Sequence, residues 1–317
     1  MSEAKFTHAG ASSENHAIFA GGETGTALSS VANAYDNSLT LTTLDKIATV
    51  CHSLVGVRNG EFAIFAGGLT SLTSTNKVTV YDSSLIAHYS VTLSTSRYDL
   101  AGAYVGEYAL FVGGRSNSTT VVNAVDSIDR SLTRAIRTTL PSVVYRLAGV
   151  SADTKAIFAG GQIVGTYRAS AYSYDESLTR TAIDDISVKR SALCGASVGD
   201  YALLAGGENA DGELDVVDAY NSSLTKTVAT PLSQKRMNLA AVEHGGFAMF
   251  VGGESNGEIF ATVDMYDASL TRTTNLSLSN GKTQHAAATV ENFALIAGGL
   301  GAPEGYPDSV VEAFTIV

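Results

Sequence analysis

Tryptophan is absent from this chain of 317 residues, and cysteine, proline and charge are scarce: two cysteines, four prolines and 16% charged residues. Two cysteines are too few for a disulfide framework, so we expect Cys51 and Cys194 to be reduced thiols, buried or half-buried. The sequence has no apolar run of the roughly 18 residues that a membrane helix needs, and no apolar signal segment near residue 1. Neither membrane insertion nor a secretion signal is therefore predicted.

Positive charge is also in deficit, with 20 Lys and Arg against 31 Asp and Glu, a net charge of -11. A protein that binds nucleic acid through its phosphates would show a basic excess, so no nucleic-acid partner is expected. The chain has no H-E-x-x-H, phosphate-binding loop, dinucleotide fingerprint or C-x-x-C motif. We therefore predict no catalytic residue, no metal and no cofactor.

What the sequence does contain is an internal repeat. An apolar strand that ends in Gly-Gly occurs seven times, as in IFAGG, LFVGG and LIAGG, at spacings of 46, 46, 47, 46, 46 and 46 residues. A period of this size is typical of propeller blades or solenoid coils. The first glycines of the pairs are Gly21, Gly67, Gly113, Gly160, Gly206, Gly252 and Gly298.

Each period predicts four strands. A small-residue strand such as LAGAYV comes first, the Gly-Gly strand second, a strand ending in Tyr-Asp third, and a strand after Ser-Leu-Thr fourth. A lone sheet of four strands cannot bury both faces, whereas sheets packed face to face around an axis can. We therefore predict an all-β fold, a seven-bladed β-propeller of four-stranded antiparallel blades.

The combination of Gly-Gly, Tyr-Asp and an opening cation resembles the kelch repeat. The opening Arg is present as Arg97, Arg190 and Arg236, and Lys5 and Lys282 stand at the same phase, but the kelch Trp is missing. The resemblance implies a single kelch-type propeller over residues 1–317. Its predicted blades are 5–50, 51–96, 97–143, 144–189, 190–235, 236–281 and 282–317.

The last predicted blade is shorter than the others and ends after its third strand. We expect it to be three-stranded, with an exposed edge at Val310–Val317 that either recruits a partner strand or is simply solvated. His8 and His285 occupy a repeat position that is Leu in five other units. A polar repacking between the first and last blades is the preferred interpretation of this pair, and a shared metal is the alternative.

The opening cations suggest structural ion pairs. The residue after Gly-Gly lies 18 positions beyond the cation, and strands one and two form a hairpin, so these two positions are expected to be neighbours. The predicted pairs are Lys5 with Glu23, Arg190 with Glu208, and Arg236 with Glu254.

The third unit breaks this pattern, because Arg97 would face Arg115. Arg and Tyr residues gather around the break, and both residue types anchor interfaces. The preferred interpretation is that a Glu or Asp from a neighbouring loop neutralises each Arg. The functional alternative is a binding site for an anion or an acidic peptide on the face formed by the loops between second and third strands. Its residues are Arg97, Arg115, Tyr98, Tyr145, Arg146, Tyr167 and Arg168.

The leading hypothesis for function is a non-enzymatic binding scaffold that recognises a protein or a glycan through this loop face. Its loops vary from unit to unit on repeating strands, and variable loops on a regular scaffold commonly bind ligands. A sugar-modifying enzyme resembling kelch-type sialic acid mutarotases is one alternative, with Arg190, Glu208, Arg236 and Glu254 as candidates. A structural subunit of a phage or cell-surface assembly is another. With no secretion signal seen, the expected location is the cytoplasm or a phage assembly, and the near-uniform Gly-, Ser- and Thr-rich repeats suggest a bacterial or phage source.

Overall fold

The computed structural model describes residues 1–316, which form β-strands and turns without a helix. None of these residues therefore belongs to a helix that could cross a membrane. The main sheets, numbered 1 to 7 in chain order, are antiparallel: sheets 1 to 6 have four strands and sheet 7 has three. The all-β class and the repeated four-stranded antiparallel sheets are confirmed.

Sheets 1 to 3 contain consecutive strands. They are β1 to β4 (Ala9–Ser12, Ala17–Ala20, Ala32–Tyr35, Leu41–Thr43), β5 to β8 (Val55–Asn59, Phe62–Ala66, Val78–Tyr81, Ala87–His88) and β9 to β12 (Ala101–Val105, Tyr108–Val112, Val125–Asp129, Arg134–Ile136).

Sheets 4 to 7 have short hairpins inserted between their second and third strands. The main strands are β13, β14, β17, β18 (Ala148–Ala152, Lys155–Ala159, Ala171–Asp175, Arg180–Ile183); β19, β20, β23, β24 (Cys194–Val198, Tyr201–Ala205, Val217–Tyr220, Lys226–Val228); β25, β26, β29, β30 (Ala240–His244, Phe247–Val251, Thr262–Tyr266, Arg272–Ser277); and β32, β33, β36 (Ala286–Val290, Phe293–Ala297, Val311–Phe314). The inserted strands are β15, β16 (Gln162–Ile163, Thr166–Tyr167), β21, β22 (Glu208–Asn209, Gly212–Glu213), β27, β28 (Glu254–Ser255, Glu258–Ile259), and β34, β35 (Leu300–Gly301, Tyr306–Pro307). In sheet 7 a further short strand, β31 (Lys282–Thr283), precedes the first main strand and pairs with β34.

The first strand of each sheet lies innermost. Each first strand contacts the first strands of the sheets before and after it, and β1 contacts both β5 and β32. A Cβ atom on Gly10 would lie 2.5 Å from the Ala287 carbonyl oxygen, so only glycine allows this approach of sheet 1 to sheet 7. Radial packing of sheets through small inner residues is the arrangement of a β-propeller.

The apolar core lies between neighbouring sheets. One cluster joins Leu203 and Ala205 of sheet 5 to Phe250 and Tyr266 of sheet 6, all of them fully buried. The Tyr266 hydroxyl donates to the Thr230 carbonyl at 2.8 Å, which satisfies its buried polar atom. The aromatic residue of the Tyr-Asp pattern therefore fastens one sheet to the preceding one.

The aspartate of the Tyr-Asp pattern shapes the turn into the fourth strand. Asp36 Oδ1 accepts hydrogen bonds from the backbone N–H groups of Ser38 and Thr40, both at 2.9 Å. Leu39 between them has φ of 60°, an uncommon conformation that these hydrogen bonds hold.

Both cysteines are free thiols, as predicted. Cys51 is buried and Cys194 is half-buried. Burial raises the pKa of the Cys51 thiol to about 12. Both thiols therefore belong to the packed interior and are protonated at neutral pH.

Candidate functional site

A ring of backbone surrounds one mouth of the central channel. Each of its seven residues has φ between 52° and 54°, and N–H···O=C bonds across sheets join every pair of neighbours except Ala192 and Asn238. The Thr7 N–H, for example, donates to the Gln284 carbonyl at 2.9 Å, which links sheet 1 to sheet 7. The residues are Thr7, Ser53, Asp99, Arg146, Ala192, Asn238 and Gln284.

The ring encloses a cavity of about 340 Å³ that opens on the side of the loops between second and third strands. Ring side chains differ in every sheet although their backbone is the same, and the layer beneath them is apolar apart from His8 and His285. A constant backbone with variable polar side chains at an open mouth is suited to recognition.

Arg115 is the most enclosed cation at this mouth. Its guanidinium carbon lies 4.6 Å from the ring centroids of both Tyr98 and Tyr145, and its Nη2 lies 2.8 Å from Asp99 Oδ2. Two cation–π contacts and an ion pair fix its orientation. The structure thus brings together three of the residues predicted for binding, and adds Asp99.

Arg146 spans the mouth from the ring itself. Its Nη1 donates to Glu208 Oε1 at 2.7 Å, and its Nη2 donates to Asn238 Oδ1 at 3.4 Å. Asn238 Nδ2 in turn donates to Glu254 Oε1 at 2.7 Å. The charges at this mouth are therefore largely paired with one another, across three sheets.

The remaining predicted binding residues lie elsewhere. Arg97 is fully buried and pairs with Asp126 at 2.8 Å, so the expectation that it faces Arg115 in an anion site is wrong. Arg168 lines a separate small cavity with Phe158 and Tyr172. Tyr167 lies in β16, where its phenol is close enough to Glu208 and Arg146 to interact electrostatically.

The predicted structural ion pairs have other partners. Arg190 pairs with Asp218 at 2.9 Å and Arg236 with Asp264 at 2.5 Å, while Lys5 Nζ donates to the Val31 carbonyl at 2.9 Å. The pairings of Arg190 with Glu208, Arg236 with Glu254 and Lys5 with Glu23 are corrected accordingly.

The reason for these corrections is a register shift of one residue. The bridge partners of Glu23, Glu208 and Glu254 are the residues after each cation: Phe6, Ser191 and Met237. Because side chains alternate along an extended chain, the cation points into the sheet instead of toward the glutamate. Burial lowers the pKa of Lys5 to about 8.

Sequence reasoning missed the buried carboxylates that these cations need. Asp126, Asp218 and Asp264 are fully buried on third strands. A signal was present, because Asp218 and Asp264 each stand two residues before the Tyr of the Tyr-Asp or Tyr-Asn pattern. A buried Arg that recurs once per repeat predicts a buried carboxylate that recurs at the same spacing.

No group of three or more His, Cys, Asp or Glu residues that could hold a metal occurs within residues 1–316. The pattern G-x-S-x-G, known from hydrolase nucleophiles, occurs at Gly195–Gly199 and Gly253–Gly257. In hydrolases it forms a strand-to-helix turn, whereas here Ser197 lies within β19 and Ser255 within β27. Neither serine has the context of a nucleophile.

Comparison with known proteins supports the fold alone. No family model matches the chain, and no curated protein matches it. The solved structure of YjhT is similar, with a TM-score of 0.68 and 13% identity over 86% of this chain and 97% of that chain. It is one of 512 matching chains. A fold shared so widely does not identify a function.

Proposed function

We propose that the chain is a single seven-bladed kelch-type propeller that serves as a non-enzymatic scaffold and binds a protein partner through its loop face. Seven radially packed sheets and the backbone ring support the blade number and the closed wheel. Sheets 1 to 7 would correspond to the seven predicted blades of residues 1–317. A bacterial or phage source is part of this proposal, and it rests on the near-uniform repeats rich in Gly, Ser and Thr.

The observation that carries the binding function is the pairing of charges at the mouth. A catalytic acid–base pair needs a group free to exchange a proton with substrate. Asp99 is paired with Arg115, and Glu208 with Arg146, while Glu254 accepts a hydrogen bond from Asn238. Paired charges and a fixed backbone favour recognition over the sugar-modifying alternative.

Exposed apolar residues at loop tips favour a protein partner over a glycan. Leu72, Val164 and Tyr306 lie in loops between second and third strands and are 90%, 61% and 72% exposed. Tyr98 and Tyr145 are buried against Arg115, so their faces are not free to stack on a sugar ring. Apolar tips around a polar mouth are typical of protein interfaces.

The test compares the proteins retained by the intact chain with those retained by two variants. The loop-face variant carries Leu72→Ser and Tyr306→Ser, and the matched control carries Ile136→Ser, at a 64% exposed position on an outer strand. We expect a partner that the intact chain and the control retain and the loop-face variant loses, with all three chains equally stable. Equal retention by all three chains, or selective binding on a glycan array alone, would reject the proposal.

A further inference from the structure

The third strand of sheet 7 differs in burial from the third strands of the other sheets. Strands β3, β7 and β23 are buried along their whole length, because a fourth strand covers them. In β36, Val311, Glu312 and Phe314 are only partly buried and Ala313 is exposed. Within residues 1–316, no strand pairs with the outer edge of β36.

Glu312 occupies the position of the buried carboxylates in other sheets. It pairs across the sheet with Ile296, as Asp264 pairs with Phe250. It also accepts the same backbone hydrogen bond from the preceding sheet, from the Ser279 N–H at 2.7 Å, which matches Ser233 to Asp264 at 3.1 Å. Sheet 7 thus gives Glu312 the same cross-strand position and the same backbone hydrogen bond that sheet 6 gives Asp264.

The counterions of that carboxylate are missing from sheet 7. Asp264 is contacted by Arg236 of its own sheet and, at 3.7 Å, by Arg272 on the fourth strand. The corresponding inner cation of sheet 7, Lys282, pairs with Asp308 instead. Glu312 Oε1 and Asp264 Oδ1 are both buried without a hydrogen-bond partner among the described residues, but Asp264 Oδ1 has Arg272 at 3.7 Å and Glu312 Oε1 has no such cation among those residues. A buried carboxylate oxygen in this state favours an added cationic donor.

The other sheets define where that donor would come from. A cation on the fourth strand pairs with the residue at the Tyr position in several sheets, as Arg180 with Tyr174, Lys226 with Tyr220 and Arg272 with Tyr266. Arg180 and Lys226 donate to backbone carbonyl oxygens, whereas Arg272 contacts Asp264 at 3.7 Å. In sheet 3, Arg134 Nη1 at this place reaches the second oxygen of Asp126 at 3.3 Å. The equivalent place in sheet 7 is opposite Phe314.

We propose that the outer edge of β36 is a docking site for an extended segment of a partner polypeptide. The segment adds a fourth antiparallel strand and places a Lys or Arg opposite Phe314, with its charged head on Glu312. A second copy of β36 does not fit, because its residues Val-Glu-Ala-Phe carry no cation and would bring two glutamates together. Backbone pairing would provide affinity, and the Glu312 contact would select the cation.

The test uses a synthetic peptide, DASLTRTTNLS, which copies residues 267–277 and therefore the fourth strand of sheet 6, whose Arg272 contacts Asp264. It is titrated into the full chain while amide hydrogen exchange is followed at Val311–Phe314. We expect protection of these amides by about 1 mM peptide. Replacing the peptide arginine with Gln, or Glu312→Gln in the protein, should each weaken binding about tenfold.

A matched variant, Glu61→Gln, removes an exposed carboxylate from sheet 2 and should bind like the intact chain. The comparison of the peptide with and without its cation leaves the protein unchanged. It therefore decides the outcome even if Glu312→Gln lowers the stability of the protein. No protection at that concentration, or binding that is indifferent to both charge changes, would overturn the proposal. So would protection that rises with protein concentration in the absence of peptide, since it would show self-association at this edge.

Discussion

At the scale of single residues, stability depends on cations buried within the sheets. Arg97, Arg190 and Arg236 are fully buried, and each contacts a fully buried aspartate. Their guanidinium groups also donate to backbone carbonyls, as Arg236 does to Phe250 at 3.2 Å and Thr262 at 3.0 Å. A buried ion pair adds little by itself, but losing one partner leaves a charge that water cannot reach.

Asp264→Asn should therefore lower the free energy of unfolding by about 3–5 kcal/mol, because Arg236 would keep its charge without a counterion. Urea unfolding followed by circular dichroism measures this change. Asp184→Asn, at an exposed aspartate, should alter stability by less than about 0.5 kcal/mol. A loss equal to that of the control would show that the buried pair contributes nothing.

At the scale of elements, the repeat depends on the turn that follows each third strand. Asp267 Oδ1 accepts from the backbone N–H groups of Ser269 and Thr271, both at 2.9 Å, and from the Ser269 hydroxyl at 2.7 Å. These hydrogen bonds hold the pKa of the Asp267 carboxyl below its usual value. The turn keeps Leu270 at φ of 62° and directs the chain into β30.

Asp267→Ala removes the acceptor of all three hydrogen bonds and should destabilise the protein by about 1 kcal/mol. The local signature should be faster amide exchange at Ser269 and Thr271, which lose their partner. Asp211→Ala, in an exposed hairpin tip, is the matched control and should leave both stability and exchange in sheet 6 unchanged. Unchanged exchange in Asp267→Ala would contradict a capping role.

At the scale of the whole molecule, two buried histidines mark the sheets where the chain returns to its start. His8 packs beside Gly298 of sheet 7, and His285 beside Gly252 of sheet 6. Burial lowers the pKa of His285 to about 3, and the charge on Lys282 adds to this. Burial likewise lowers the pKa of His8 well below its ordinary value, and the charge on Lys5 adds to this. Both rings are therefore neutral in the folded state at neutral pH.

A histidine whose folded pKa is below its unfolded value of about 6.5 destabilises the fold in acid, because the unfolded chain binds the proton first. Stability should fall as pH drops from about 6.5 toward about 3, by the order of 3 kcal/mol for His285 alone at pH 4. His8→Leu with His285→Leu, the residue of the other five repeats, should flatten this slope. Unfolding free energies from pH 7 to pH 4 provide the measurement, and parallel curves for the two proteins would refute it.

The ends of most strands could be predicted from the sequence, because they depend on short motifs that recur in each repeat. Gly-Gly marked the end of each second strand, and Tyr-Asp the end of most third strands. The partner of each buried cation was not readable, because a shift of one residue moves a side chain to the opposite face of an extended strand. Of the predicted binding residues, Arg115, Tyr98 and Tyr145 lie together at the mouth, whereas Arg97 lies inside a sheet, and their role in binding stays a prediction.

The sequence by itself determined the strand content, the period and the turn chemistry, since these depend on residues within one repeat. Only the tertiary structure decided which side chains form the mouth. Asp99 and Arg146 stand one repeat apart in the chain, and Arg146 and Asn238 stand two repeats apart. They come together because each sheet contributes one residue to the same backbone ring. Likewise, only the tertiary structure shows that Glu312 lacks a counterion, because Lys282 of the same sheet pairs with Asp308 instead.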